Sequence, residues 1–162
     1  VDPRSIERID VWTSSLAAML AGKQITTSFG ARFSIPFALA TILHHGQSGT
    51  AEFEQAAVDN PVVQALVAKV FVRHEPFFDA AFPERQLCDV EIRMQDGARH
   101  FGRCEVTKGE PANPHSPADL EGKFVRLGAP VWGEERAREL YAACMRLESI
   151  PDFREFANAQ SL

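Results

Sequence analysis

The chain opens on period-two alternation. Between Ser5 and Thr13, Ile9 and Val11 fall on one side, with Glu7 and Thr13 as its polar ends, which predicts a strand. Residues 14–30 lose that period and run through small and polar types, from Ser14 and Ser15 to Ser28 and Gly30. Leu16 to Leu20 can make a helical turn, and the rest reads as a long loop. Two readings of that loop stay open, a functional loop and a flexible insertion. Ala31 to His45 is then apolar nearly all round, through Phe33, Ile35, Phe37, Leu39, Ile42 and Leu43. This pattern predicts a helix buried at the centre of the fold. Ser34 suits its N-cap and Pro36 its first turn. His44 and His45 fall at its C-terminal end, where the helix dipole favours cations. Neighbouring histidines diverge on a helix, so they read as a cap rather than as metal ligands.

Thr50 precedes a short helix over Ala51 to Val58, with Phe53, Ala56 and Ala57 inward. Asn60-Pro61 marks a second helix start, followed by Val63, Leu66 and Val67 at helical spacing. Near Lys69 the period returns to two: Val70, Val72 and His74 alternate with Phe71 and Arg73, as in a strand that ends at His74.

Asp96-Gly97 between Gln86–Gln95 and Ala98–Val106 is a strong hairpin signal. A two-residue turn pairs Gln95 with Ala98 and sets Cys88, Val90, Ile92 and Met94 beside charged partners. A three-residue turn with Gly97 at a bulge pairs Met94 with Ala98, Ile92 with His100, Val90 with Gly102 and Cys88 with Cys104, and puts Asp89 beside Arg103. A slip of one residue exchanges the faces, and only the bulged register keeps like with like. It is therefore the expected one, with Cys88 and Cys104 as free thiols facing each other on the buried side. A disulfide between them after aerobic handling is open.

A proline-rich loop over Gly109 to His115 leads to Ser116-Pro117 and Asp119, a cap, a first-turn proline and an acid at the third position. Leu120, Phe124 and Leu127 predict an apolar stripe, ended by Gly128 and Pro130. Trp132 to Glu148 predicts another helix, with Ala137, Leu140, Tyr141, Cys144 and Leu147 inward. Asp152 to Ala157 can form a last short helix bearing Phe153 and Phe156. The expected fold is α+β: a small, mostly antiparallel sheet of about four strands with helices packed on one face, and residues 1–162 forming a single domain.

Composition narrows the function classes. The 162 residues are 45% hydrophobic and 24% charged, which suits a globular domain with one core. The net charge of −5 supplies no overall basic surface for a phosphate backbone, so no nucleic-acid partner is expected. No apolar run approaches the ~18 residues of a membrane span, so no membrane association is expected. Three sparse cysteines without a CxxC pair point to a reducing, cytoplasmic setting and away from a structural zinc site. An N-terminus of Val1-Asp2-Pro3, without Met or a signal-peptide pattern, suggests a piece of a longer protein. Glycine-rich phosphate loops, a nucleophile elbow and the metalloprotease HExxH are all missing from the sequence.

Several segments occur in a telling order: Ala31-Arg32-Phe33-Ser34-Ile35-Pro36-Phe37-Ala38-Leu39-Ala40; Asn60-Pro61-Val62-Val63 before a helix ending in Lys69-Val70; Val90-Glu91-Ile92 leading to Asp96-Gly97; Gly109-Glu110-Pro111-Ala112-Asn113-Pro114; and Leu120-Glu121-Gly122-Lys123-Phe124. Together they resemble the C-terminal domain of the MmgE/PrpD family, which includes 2-methylcitrate dehydratase, cis-aconitate decarboxylase and an iminodisuccinate epimerase. The resemblance implies a small α+β lid that closes over a larger helical N-terminal domain, with a small polycarboxylate bound in the cleft between them. It implies no metal and no organic cofactor. Family chemistry removes a proton beside a carboxylate and then eliminates, decarboxylates or epimerises. Much of the acid–base machinery lies in the helical domain or in a Lys-Pro-x-Pro segment before the lid, and neither is in this sequence.

On that resemblance, the loop after the first strand faces the cleft. Lys23 and Arg32 are its candidate carboxylate ligands, Arg32 in bidentate fashion, and Ser28 and Ser34 its candidate hydrogen-bonding groups. No catalytic residue is assigned to this chain. Several family members carry Gln-Tyr where Pro36-Phe37 stands, so two polar groups are missing here. The competing expectation is a free-standing, non-catalytic module for ligand binding or self-association, with Trp132, Phe153 or Phe156 exposed and a homo-oligomer as its consequence. A complete small enzyme ranks last, because the sequence shows no paired nucleophile and base.

Overall fold

A computed structural model describes residues 1–159. The chain divides into two compact units, residues 1–107 and 108–162. The first holds an open four-stranded mixed sheet with β1 (Ile6–Thr13), β2 (Val70–His74), β3 (Cys88–Met94) and β4 (Arg99–Cys104) in the order β2-β1-β3-β4. β1 pairs with β2 in parallel and with β3 antiparallel, and β3–β4 is the hairpin. The fold class is α+β, with a sheet that is mostly antiparallel.

A parallel neighbour requires a long crossover. Here it carries α1 (Ser15–Ala18), α2 (Ser28–Ala31), α3 (Ile35–His45), α4 (Gln55–Val58) and α5 (Pro61–Lys69). A further turn, α6 (Pro76–Asp79), follows β2. α3 and α5 pack together and against β1 and β2. Ile9, Val11 and Val70 from the sheet meet Phe37, Ala40, Val63, Leu66 and Val67 in one core, all essentially inaccessible to water. The register of the hairpin is the bulged one: Cys88 faces Cys104, Asp89 faces Arg103, Val90 faces Gly102 and Ile92 faces His100. Gly97 sits at φ +87°, where only glycine is unstrained, and the Met94 N–H donates to the Ala98 carbonyl at 2.8 Å.

The caps of α3 and α5 lie where their residues predict. The Ser34 hydroxyl accepts from the Phe37 N–H at 3.1 Å, and Asn60 Oδ1 accepts from the Val62 N–H at 2.9 Å. Other expectations need correction. α3 starts at Ile35, because residues 31–33 close the preceding turn, with Phe33 N–H bonded to the Gly30 carbonyl. Nor is α3 buried all round: it hides Pro36, Phe37, Ala40 and Thr41, while Ile42 is exposed, as is Phe33 before it. Residues 51–58 are not one helix. A 3-10 turn over Ala51–Phe53 breaks at the extended Glu54 before α4. The break turns Glu52 inward, where its carboxylate accepts from Gln47 Nε2 at 2.6 Å and the Gly49 N–H at 2.7 Å. Ala56 points outward instead. Cys104 shares a face with Cys88 as expected, yet it is exposed, because β4 is the outermost strand.

The second unit is helical: α7 (Pro117–Trp132), α8 (Glu134–Cys144) and α9 (Phe153–Ala159). Ser116 and Asp119 form a full capping box at the start of α7. Gly128 and Pro130 do not end this helix. A Cβ at Gly128 would lie 2.8 Å from the Trp132 ring, so the glycine makes room for that indole, which stacks with Phe124. The helix stops at Gly133, with φ +80°. Its buried side is Val125 and Gly128, with Leu120 and Leu127 exposed. α8 is shorter than expected and buries Ala137 and Leu140, while Cys144 and Leu147 are exposed. Phe153 and Phe156 pair at 5.5 Å, and Phe153 is largely exposed.

Candidate functional site

The loop after β1 is tied down along its length. The Ser15 N–H donates to Asp79 Oδ1 at 2.7 Å, and the other oxygen of Asp79 bonds His74 Nε2 at the end of β2. Further on, the Ile35 N–H donates to the Leu20 carbonyl at 2.9 Å, Ser34 Oγ to the Gly22 carbonyl at 2.6 Å, and Gln55 Nε2 to the Thr26 carbonyl at 3.2 Å. A loop held at four points by long-range bonds has little in common with a loose insertion.

These bonds decide the fate of each candidate residue. Ser34 is buried, and its hydroxyl both caps α3 and holds Gly22. Lys23 lies against the sheet edge. Its ammonium donates to the Ala68 carbonyl at 2.9 Å and sits 4.0 Å from the centre of the Phe71 ring, which Arg8 also contacts. Burial, and then the charge of Arg8, lower the Lys23 pKa from its ordinary value. Ser28 and Arg32 stand at either end of the single turn of α2, one helical turn apart and so on the same side. The Thr27 hydroxyl caps that turn by accepting from the Gly30 N–H at 3.1 Å. Arg32 is exposed and forms no ion pair among the described residues. On either side of it Phe29 and Phe33, 5.1 Å apart, point outward. The structure thus sets Ser28 and Arg32 one turn apart on α2, commits Ser34 to the cap of α3 and to Gly22, and directs the Lys23 ammonium to β2.

Pro36 and Phe37 belong to the core. Phe37 is fully buried and packs on Phe53 at 5.6 Å. The residues that replace Gln-Tyr therefore contribute packing at this point.

Sequence reasoning missed the His74–Asp79 pair, which joins β2 to the base of the loop. Its only signal was the Glu75-Pro76 helix start, which folds Asp79 back to His74. The Asp79 carboxyl is held below its usual range, first by the Ser15 N–H and then by His74. Also unforeseen was an apolar cavity of about 560 Å³ on the helix-covered side of the sheet, lined by Leu16, Leu20, Leu39, Val90, Cys88 and Cys104 among others. Burial, then Cys104, raises the Cys88 pKa, so this thiol is a poor nucleophile at neutral pH. Among the described residues, no group of three or more His, Cys, Asp or Glu side chains is arranged to hold a metal ion, and no helix is long and apolar enough to cross a membrane.

A mixed sheet with α3 and α5 on one side, a pinned crossover loop and a bulged hairpin define a small α+β unit with an exposed arginine turn. The MmgE/PrpD C-terminal domain model matches residues 1–147, and the chain belongs to the MmgE/PrpD family. It is similar to cis-aconitate decarboxylase from Mus musculus and from Homo sapiens, at 25% identity over 122 residues in each case. Those residues are 75% of this chain and 25% of each relative, so the chain spans about a quarter of the length of the curated relatives it matches.

Proposed function

We propose that this chain is the lid of a cofactor-free lyase or isomerase that removes a proton beside a carboxylate of a small polycarboxylate. Residues 1–162 act as one functional domain, a reading supported by a family match that runs through both compact units. The partner is a helical N-terminal domain that carries the acid–base groups, and the proposed setting is cytoplasmic. Family membership supports this reading, as does the naming of the relatives as decarboxylases.

The observation that carries the site is the exposed Arg32, without an ion pair among the described residues, on a turn whose backbone is fixed by Thr27 and Gln55. An exposed guanidinium on this fixed backbone can take a carboxylate with two parallel hydrogen bonds. Ser28 adds a hydroxyl one turn away. Ser34 acts through the loop it holds. Lys23 contributes positive potential from the edge of β2 and reaches substrate only by giving up Ala68. In the transition state, charge moves from the departing proton's carbon onto the adjacent carboxylate, and a fixed cation beside that group stabilises the change.

The test is kinetic, on the protein with its helical domain and with cis-aconitate and 2-methylcitrate as substrates. Arg32→Gln is expected to lower kcat/KM by about 10- to 100-fold, with Arg32→Lys recovering only part of the loss. Unchanged kinetics in Arg32→Gln defeats the assignment. Residues 1–162 alone are expected to turn over neither substrate. The exposed Met19, Phe29 and Phe33 favour a second reading, a self-associating module without activity. Dimerisation that persists in the presence of the helical domain, with no turnover by the pair, would select that reading.

A further inference from the structure

The side of the sheet away from α3 and α5 carries a row of like charges. Arg8 on β1, Arg93 on β3 and Arg99 on β4 are directly opposite one another across three adjacent strands. Like charges in register repel, and a sheet gains nothing by such a row alone. The next rung along supplies Asp10 and Glu91, two carboxylates for these three guanidinium groups and for Arg73 as well.

The two acids are used very differently. Asp10 is saturated: it accepts from Arg8 at 2.6 and 2.9 Å and meets Arg73 at 3.1 Å. Glu91 serves Arg93 and Arg99 with one oxygen, at 3.7 and 3.6 Å. Those separations are about 0.8 Å longer than a charge-assisted guanidinium–carboxylate bond. Arg93 Nε, moreover, is shut off from water and has no hydrogen-bond partner. Arg93 and Arg99 thus share one oxygen of Glu91 at long range, and their remaining donors meet no other protein acceptor among the described residues. With Arg8, Arg73, Trp12 and the two carboxylates Asp10 and Glu91 they line an open trough of about 440 Å³ in which four guanidinium groups face two acids, large enough for a small ligand.

We propose that this trough is a binding site for a small multivalent oxyanion, bearing either phosphate or carboxylate groups, which seats between the Arg93 and Arg99 guanidinium groups and completes the row. The site lies on the opposite side of the sheet from Val90 and Cys88, and the inference does not rest on the proposed lid activity.

Thermal unfolding and titration calorimetry of the purified protein test it, with inorganic phosphate in one arm and citrate in another. Ionic strength is matched with chloride throughout, so that general screening is constant. In the wild type at least one anion is expected to bind and raise Tm. Binding of phosphate alone assigns a phosphate ligand, binding of citrate alone a carboxylate one, and binding of both the shared chemistry. Arg99→Gln, on the exposed edge strand, is expected to weaken binding about tenfold or more while leaving Tm without anion unchanged or higher, because it removes one member of the repelling row. Arg93→Gln is expected to weaken binding likewise. Failure of both anions to bind, or equal affinity in both variants and the wild type, overturns the proposal. So does loss of Tm in anion-free Arg99→Gln, which would make the row an internal ion-pair network.

Discussion

The two sides of the sheet follow opposite rules. On one, Ile9, Val11, Val70, Val90 and Ile92 carry only hydrocarbon toward α3 and α5, and stability there comes from excluding water. On the other, Arg8, Asp10, Asp89, Glu91, Arg93, Arg99 and Arg103 form a charged lattice around Trp12, with Phe71 and Phe101 partly open to solvent. The same strands make both sides, so backbone pairing alone is indifferent to the contrast. The apolar side fixes which way the strands face. The charged side adds ion pairs that are individually weak and screened, and it leaves donors available.

The comparison breaks most completely through the core. Phe37→Ala deletes a fully buried ring from the heart of the apolar side and is expected to cost about 3–5 kcal/mol in a urea titration. Asp10→Ala attacks the charged side at its best-paired group, leaving Arg8 and Arg73 without their shared carboxylate. It is expected to cost about 1–3 kcal/mol by the same titration, less than Phe37→Ala because both arginines can turn to solvent. A larger loss in Asp10→Ala than in Phe37→Ala would reverse the ranking of the two sides. Ser34→Ala removes one cap and one loop tether and should cost about 1 kcal/mol, with faster amide exchange at Phe37.

The charged side also predicts a pH dependence. The Asp10 pKa is lowered chiefly by hydrogen bonding to Arg8, and that of Asp89 by Arg103. A carboxyl whose pKa is lower folded than unfolded binds fewer protons in the native state. Its contribution is complete above the ordinary aspartate value near 3.8 and is lost as pH falls through the lower folded values. Tm is therefore expected to be flat with respect to these two groups near neutrality and to decline below about pH 4. In Asp89→Asn that decline should be shallower, and an identical slope would remove Asp89 from the set.

What could be read from the sequence divides along the same line. Alternation made β2, the bulged hairpin and β1 from Ile9 onward legible, because misplacing an apolar side chain by one position has a large energetic cost; at the start of β1 an irregularity between Ile6 and Arg8 turns Ile6 inward and leaves Glu7, expected on that face, exposed. The caps at Ser34, Asn60 and Ser116 were legible because each answers a local hydrogen-bonding need. The interruption at Glu54 was hidden, since it depends on Glu52 finding Gln47 and Gly49 after folding. Gly128 misled for a related reason: the signal for a helix stop and the signal for space beneath an indole are the same residue. Of the candidate ligands, Ser28 and Arg32 lie close in sequence and were easy to place together. The true environments of Lys23 and Ser34 came from Ala68 and Gly22, partners that no spacing rule connects to them.

The glycine in the hairpin turn also sets a parity. With Gly97 present, β4 turns His100, Gly102 and Cys104 toward the apolar side and Arg99, Phe101 and Arg103 toward the charged one. Closing the same residues in a two-residue turn, with Gln95 opposite Ala98, would slip the register by one and exchange the two sets. Two arginines and a phenylalanine would then face the cavity, and a cysteine and a histidine would enter the lattice of ion pairs. The division between oily and ionic surfaces on this edge is thus encoded by loop length as much as by side-chain chemistry. No strand residue differs between the two arrangements; the geometry of the turn alone separates them.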